Sequence, residues 1–151
     1  MKQYQGELIL EAPMVNVRRL ILDPERVAQC IPDVLESRVE DSRRITAKIK
    51  VGIGPLRAIM EVTGVIEDGG VDHARLTITG GGMGSRVDMV NHMTLSAGER
   101  TNTTVLRWSS AVSVNGPIAS LGGRLLDAYV QKTTQAVFAR IQELAQTEAV
   151  G

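Results

Sequence analysis

The sequence has little of what most often announces a function. Aromatic residues make up 3% of its 151 positions, with Trp108 the sole tryptophan and Phe138 the sole phenylalanine. Cys30 is the single cysteine, which excludes an internal disulfide framework and fits a reducing compartment. Net charge is absent as well. The 17 basic side chains balance 17 acidic ones, and without a basic surface no nucleic-acid partner is expected. No apolar run approaches the roughly 18 to 20 residues of a membrane span. The opening stretch MKQYQGELIL lacks the basic-then-apolar order of a signal peptide, so a soluble, cytoplasmic chain is expected.

Catalytic and metal motifs are missing too. His73 and His92 stand apart, and no cysteine or carboxylate cluster shows ligand spacing, so both read as surface strand residues and no metal or cofactor is expected. The run Gly80-Gly81-Gly82-Met83-Gly84 is not a phosphate cradle, because no helix follows it and no Gly-Lys-Ser/Thr is present. It reads as a flexible hairpin or a bulged strand end, with Met83 as an adaptable cap over a pocket mouth. Cys30 has no motif around it and reads as a semi-buried thiol.

What the chain does have is periodicity. Its length fits one domain, residues 1–151, with a core that needs no metal or disulfide. Residues 3–10 alternate as a first strand. Ala12-Pro13 then opens a short helix whose buried face would be Val15, Val17, Leu20, Ile21 and Leu22. Asp23-Pro24-Glu25 starts a second, with Asp23 as N-cap and an end near Cys30 before Pro32. From Val34 the period becomes two, through strands near 35–39, 45–53, 58–66, 74–79, 86–95 and 106–114, joined by short polar turns. Such spacers allow an antiparallel meander and no parallel crossover.

The last third, from Pro117 to about Thr147, predicts one long helix. Its apolar stripe would be Ile118, Leu121, Leu125, Tyr129, Ala136, Val137, Ile141 and Leu144, with Gly122-Gly123 inside the helix, thinning its bulk for close packing or for a ligand. One strand, two short helices, about six strands and a long helix give an α+β fold, a curled sheet gripping the terminal helix. The few aromatics leave two readings of the interior: a plain aliphatic core, or a cavity walled by small and flexible side chains. The inward faces nominate Ile49, Val51, Met60, Val62, Leu76, Ile78, Met83, Met89, Asn91, Met93, Trp108, Ser110, Leu121, Leu125 and Tyr129 as ligand-binding residues. Asn91 and Ser110, polar on apolar faces, would either satisfy buried backbone groups or orient an apolar ligand. The wall is expected along residues 118–129, with ordinary core packing along residues 130–144.

Three segments also resemble the carbon monoxide dehydrogenase CoxG family, within the START/Bet v 1-like helix-grip superfamily. They are Ala12-Pro13 with the helices that follow as far as Ile31-Pro32, Lys48-Ile49-Lys50-Val51-Gly52-Ile53-Gly54-Pro55, and Leu121-Gly122-Gly123-Arg124-Leu125-Leu126-Asp127. The resemblance implies a seven-stranded curved antiparallel sheet around the C-terminal helix, enclosing an apolar cavity. It also implies an accessory, non-catalytic role beside molybdenum hydroxylases, handling a quinone-like or lipid-like molecule. Where the family often has glycine after the Ile-Pro or Leu-Pro pair, this chain has Asp33, a change confined to a turn. Many members continue into a linker and a membrane-associating tail, whereas this chain ends at Gly151, so at most peripheral contact with the inner membrane face is expected. A scaffold that docks such an oxidoreductase, and a small cyclase-like or hydrolase-like enzyme, are the alternatives. An edge strand could also pair two copies as a homodimer.

Overall fold

The computed structural model describes residues 1–150, with side chains through residue 146. Strand β1 (Lys2–Leu10) leads into helices α1 (Met14–Ile21) and α2 (Pro24–Cys30). The Asp23 carboxylate caps α2 by accepting the Glu25 N–H at 3.0 Å, and Pro24 occupies the first helical position, as its fixed φ allows. Helix α1 buries Val17, Leu20 and Ile21. Val15, expected on that face, is 60% exposed, because two residues of α-helix turn a side chain by about 200°.

The meander follows as β2 (Val34–Val39), β3 (Arg44–Ile53), β4 (Leu56–Asp68), β5 (His73–Gly82), β6 (Ser85–Ala97) and β7 (Thr104–Asn115). Among the described residues the seven strands form one antiparallel sheet in the order β1-β7-β6-β5-β4-β3-β2. The first strand thus lies beside the last, and β2 forms the far edge. Two buried hydroxyls lock the connections. Thr104 Oγ1 donates to Ala12 O at 2.7 Å, and Ser85 Oγ accepts the Ile118 N–H at 3.1 Å.

The glycine run belongs to the sheet, not to a flap. A Cβ at Gly80 would lie 2.4 Å from Glu61 O, and one at Gly82 would lie 2.3 Å from Ile59 O, so glycine is what lets β5 press onto β4. Met83 and Gly84 form the two-residue turn to Ser85 with φ of 52° and 79°. Met83 is therefore 68% exposed at a hairpin tip, not a cap over a pocket. Asp33 also adopts a left-handed φ of 60°, and its carbonyl accepts the Lys50 N–H at 2.9 Å. A glycine at this position, which the family pattern favours, would suit that φ.

The terminal helix departs most from expectation. A 3₁₀ turn, Ala119–Leu121, comes first, and Gly122 then breaks the chain with φ of 92° before α3 (Gly123–Val150) begins. No atom lies within 4 Å of a Cβ built on Gly122, so its glycine answers a backbone requirement rather than close packing. Leu125 is 38% exposed, resting on the β3–β4 turn at Gly54, and Ala136 is exposed. The inward stripe runs instead through Leu126, Tyr129, Val130, Thr133, Val137, Ile141 and Ala145.

A turn with φ above zero at both central residues favours Asn-Gly, whereas methionine is strained there. Met83→Asn is expected to raise unfolding stability by about 1 kcal/mol. Urea denaturation measures it as a higher midpoint at unchanged slope.

Candidate functional site

Among the described residues the buried apolar side chains form two clusters rather than one. The first joins α1, α2, the end of α3 and one end of the sheet through Leu10, Val17, Leu20, Met93, Leu95, Leu106, Ile141 and Ala145, with Trp108, Val137 and Phe138 packed against it. The second sits at the other end of the sheet, where Val51, Ile53, Met60 and Ile118 meet Ile49, Val62, Val87, Val114, Leu121, Leu126 and Tyr129.

The gap between the clusters can be read along single elements. On β6, Val87 belongs to the second cluster and Met93 and Leu95 to the first, while Met89 and Asn91 between them belong to neither. On β7 the same holds for Ser110 and Val112, between Trp108 and Val114, and on α3 for Val130, Thr133 and Thr134, between Tyr129 and Val137. A cavity of about 290 Å³ is lined by all of those unclustered residues and also by members of both clusters, among them Leu20, Met93 and Ile141 of the first and Val51, Met60 and Ile118 of the second. Leu76 and Ile78 of β5, Ile45 and Ala47 of β3, and Cys30, Ile31 and Pro32 at the end of α2 complete much of the wall.

Of the nominated residues, the fold brings Ile49, Val51, Met60, Val62, Leu76, Ile78, Met89, Asn91, Met93, Trp108, Ser110 and Tyr129 onto this wall. Met83, Leu121 and Leu125 lie outside it: Met83 at the hairpin tip, Leu121 in the 3₁₀ turn, Leu125 about 100° round the helix from Leu126 and half exposed. The wall also reaches further down the helix than residues 118–129, as far as Ile141. Sequence reasoning passed over Val130, Thr133, Thr134, Phe138 and the α2 end. Helical spacing counted from Leu126 instead of Leu125 would have found the first four.

Local structure positions the few distinctive groups. Trp108 lies over Gly6, where a Cβ would come within 2.7 Å of the indole nitrogen, and its ring stands 5.6 Å from that of Phe138. Asn91 faces Leu76 on one side and Ser110 on the other. Its Nδ2 donates to Leu76 O at 3.2 Å, and its Oδ1 accepts the Ser110 hydroxyl. No lining residue carries a charge, and Cys30 and Tyr129 are the titratable ones. Burial pushes the Cys30 thiol up to about 11 despite nearby Arg140. Burial likewise raises the Tyr129 phenol above its usual range, against a lowering hydrogen bond with Thr133. Both are therefore neutral donors at pH 7.

The histidines, read as separate surface residues, are in fact a pair. His73 and His92 are diagonal neighbours across β5 and β6, with His73 Nε2 3.2 Å from His92 Nδ1. The signal was the hairpin register, legible only once the turn is fixed at Met83-Gly84. His92 alternates with the cavity residues along β6, as does Asp88, which pairs with Arg86 at 3.0 Å.

A thiol held near 11 is almost wholly protonated at pH 8. Iodoacetamide is expected to alkylate Cys30 in the folded protein roughly 100-fold more slowly than an exposed cysteine of ordinary pKa, with the normal rate restored in urea. A folded-state rate within a few-fold of free cysteine would contradict this placement.

No curated protein matches this chain in sequence. Solved structures share its fold. A conserved protein from Geobacillus kaustophilus superposes with a TM-score of 0.86 at 20% identity, covering 97% of both chains. A START superfamily protein from Mycobacterium smegmatis gives 0.68 at 10% identity, over 96% of this chain and 97% of that one. The Zhui aromatase/cyclase from Streptomyces sp. R1128 gives 0.68 at 11%, over 96% and 93%. The family model for CoxG, a carbon monoxide dehydrogenase subunit, matches residues 6–146. With that match over nearly its whole length and a START-like architecture, the chain belongs to the CoxG family.

Proposed function

We propose that this protein is a non-catalytic binding protein whose cavity carries a lipid-like or quinone-like molecule, as an accessory to a molybdenum hydroxylase of the carbon monoxide dehydrogenase type. The observation that carries the reading is the uncharged, mainly aliphatic cavity between the sheet and α3. Side chains facing a cavity of about 290 Å³ forgo the dispersion contacts that a close-packed core would give them. A side chain as common as leucine or phenylalanine at Ala47, Ser110 or Thr134 would recover part of them. An apolar occupant recovers them as well, and gains about 25 cal/mol for each Å² of apolar surface removed from water.

Catalysis is the weaker reading because acid–base chemistry needs a pair of groups poised near the working pH. Cys30 and Tyr129 are both displaced away from it. The cyclase named among the similar structures supports a shared fold and nothing about this cavity's chemistry. The family name supports the accessory role.

Trp108 is the sole tryptophan and lines the cavity, so its emission reports occupancy directly. Titration with a short-tailed quinone analogue is expected to change that emission saturably. At 100 times its dissociation constant the ligand should add about 2.7 kcal/mol of stability. Ile78→Phe, which places bulk in the void, is expected to weaken binding at least tenfold while raising the melting temperature of the ligand-free protein. Unchanged binding in that variant, or no response to any apolar ligand, would overturn the proposal.

A further inference from the structure

Resting on the cavity-binding reading, we propose that the bound molecule is electrically neutral and is anchored by one carbonyl or hydroxyl oxygen on the Asn91–Ser110 pair, so that ionised lipids are rejected. The pair lies on the cavity wall contributed by the sheet, and polar Thr133 and Thr134 lie on the wall contributed by α3. Asn91, Ser110, Thr133 and Thr134 thus set hydrogen-bonding groups into a wall that is otherwise mainly aliphatic.

The hydrogen-bond inventory defines what this anchor accepts. A carboxamide offers two N–H donors, and one of those of Asn91 is taken by Leu76 O. Its Oδ1 is satisfied by the Ser110 hydroxyl, which spends that hydroxyl's only proton. One amide N–H, a second lone pair on Asn91 Oδ1 and the Ser110 oxygen lone pairs remain. A ligand carbonyl accepts from the first; a ligand hydroxyl can also donate to either oxygen. Tyr129, kept protonated by burial, adds another neutral donor to the same wall.

The wall has no lysine, arginine or histidine to meet an anion. An ionised carboxylate or phosphate carried into it would exchange its water shell for aliphatic carbon, a loss that hydrogen bonds from a few neutral groups do not offset. The same cavity therefore separates ketones, quinones, esters and alcohols from fatty-acid anions of equal length. A cross-strand pair serving only to satisfy Leu76 O would confer no such preference, and this difference is measurable.

The test compares 2-decanone, decane and decanoate on the full chain, by Trp108 emission and calorimetry. At pH 8 the ketone is expected to bind at least tenfold more tightly than decane or decanoate. Decanoate affinity should rise as the pH is lowered towards the carboxyl pKa, while ketone affinity stays flat. Asn91→Leu should remove the ketone's advantage over decane, and Ser110→Ala should reduce it, the latter serving if the leucine variant does not fold. Equal affinity of ketone and decanoate at pH 8, or a ketone advantage that survives both substitutions, overturns the anchor while leaving the cavity reading intact. Failure of both decane and ketone to bind overturns the cavity reading and the anchor together.

Discussion

A sheet of seven antiparallel strands curled around one helix encloses more space than the side chains at its centre fill. Bulk is present at both ends. Leu10, Leu20, Leu106 and Phe138 pack one, while Ile53, Met60, Ile118 and Leu126 pack the other. Between them the sheet offers Ala47, Gly64, Asn91 and Ser110 beside the larger Ile45, Leu76, Ile78 and Met89, and the helix offers Val130, Thr133 and Thr134. The small and polar members of this set leave room that the large ones do not fill.

The helix is held to that geometry by polar ties at its two ends. Near its start, Asp127 accepts a hydrogen bond from Tyr4 at 2.7 Å and pairs with Lys2 at 2.8 Å. Those contacts hold the Asp127 carboxyl below its usual range, and burial together with Asp127 pushes the Tyr4 phenol up to about 12. Towards its end, Gln142 Oε1 accepts the Glu11 N–H at 3.1 Å, beside buried Ile141 and Ala145. Surface pairs of this kind contribute little stability individually. Their placement matters more, because both ties reach the β1 side of the structure and suspend α3 across the void.

Much of this was legible in the sequence, for physical reasons that differ by element. Strands such as β1, β3 and β4 declared themselves because each has a wetter and a drier face, and alternation survives whatever the tertiary packing does. Asp23-Pro24 announced α2 because capping is local chemistry. The phase of α3 was not legible, since Gly122 can sit inside a helix at modest cost or end one, and only the φ of 92° decides. Within α3 the inward face is centred near Thr133 and Val137, which leaves Leu125 at its edge and puts Leu126 and Val130 on the wall. Gly80 and Gly82 were ambiguous for the same reason, their role being set by carbonyls on β4 some twenty residues away in the chain. The histidine pair depended on a register that no local pattern encodes. Aliphatic composition left a full core and a hollow one equally open, because the choice turns on how far apart the two layers sit.

The claim on which everything else depends is that this middle band is hollow and apolar. Xenon enters such voids and little else. A crystal structure of lipid-stripped protein under xenon pressure is expected to show xenon bounded by Met89, Asn91 and Ser110 on the sheet and Val130, Thr133 and Thr134 on the helix. Those side chains closed into direct contact across the band, with no xenon between them, would contradict the account.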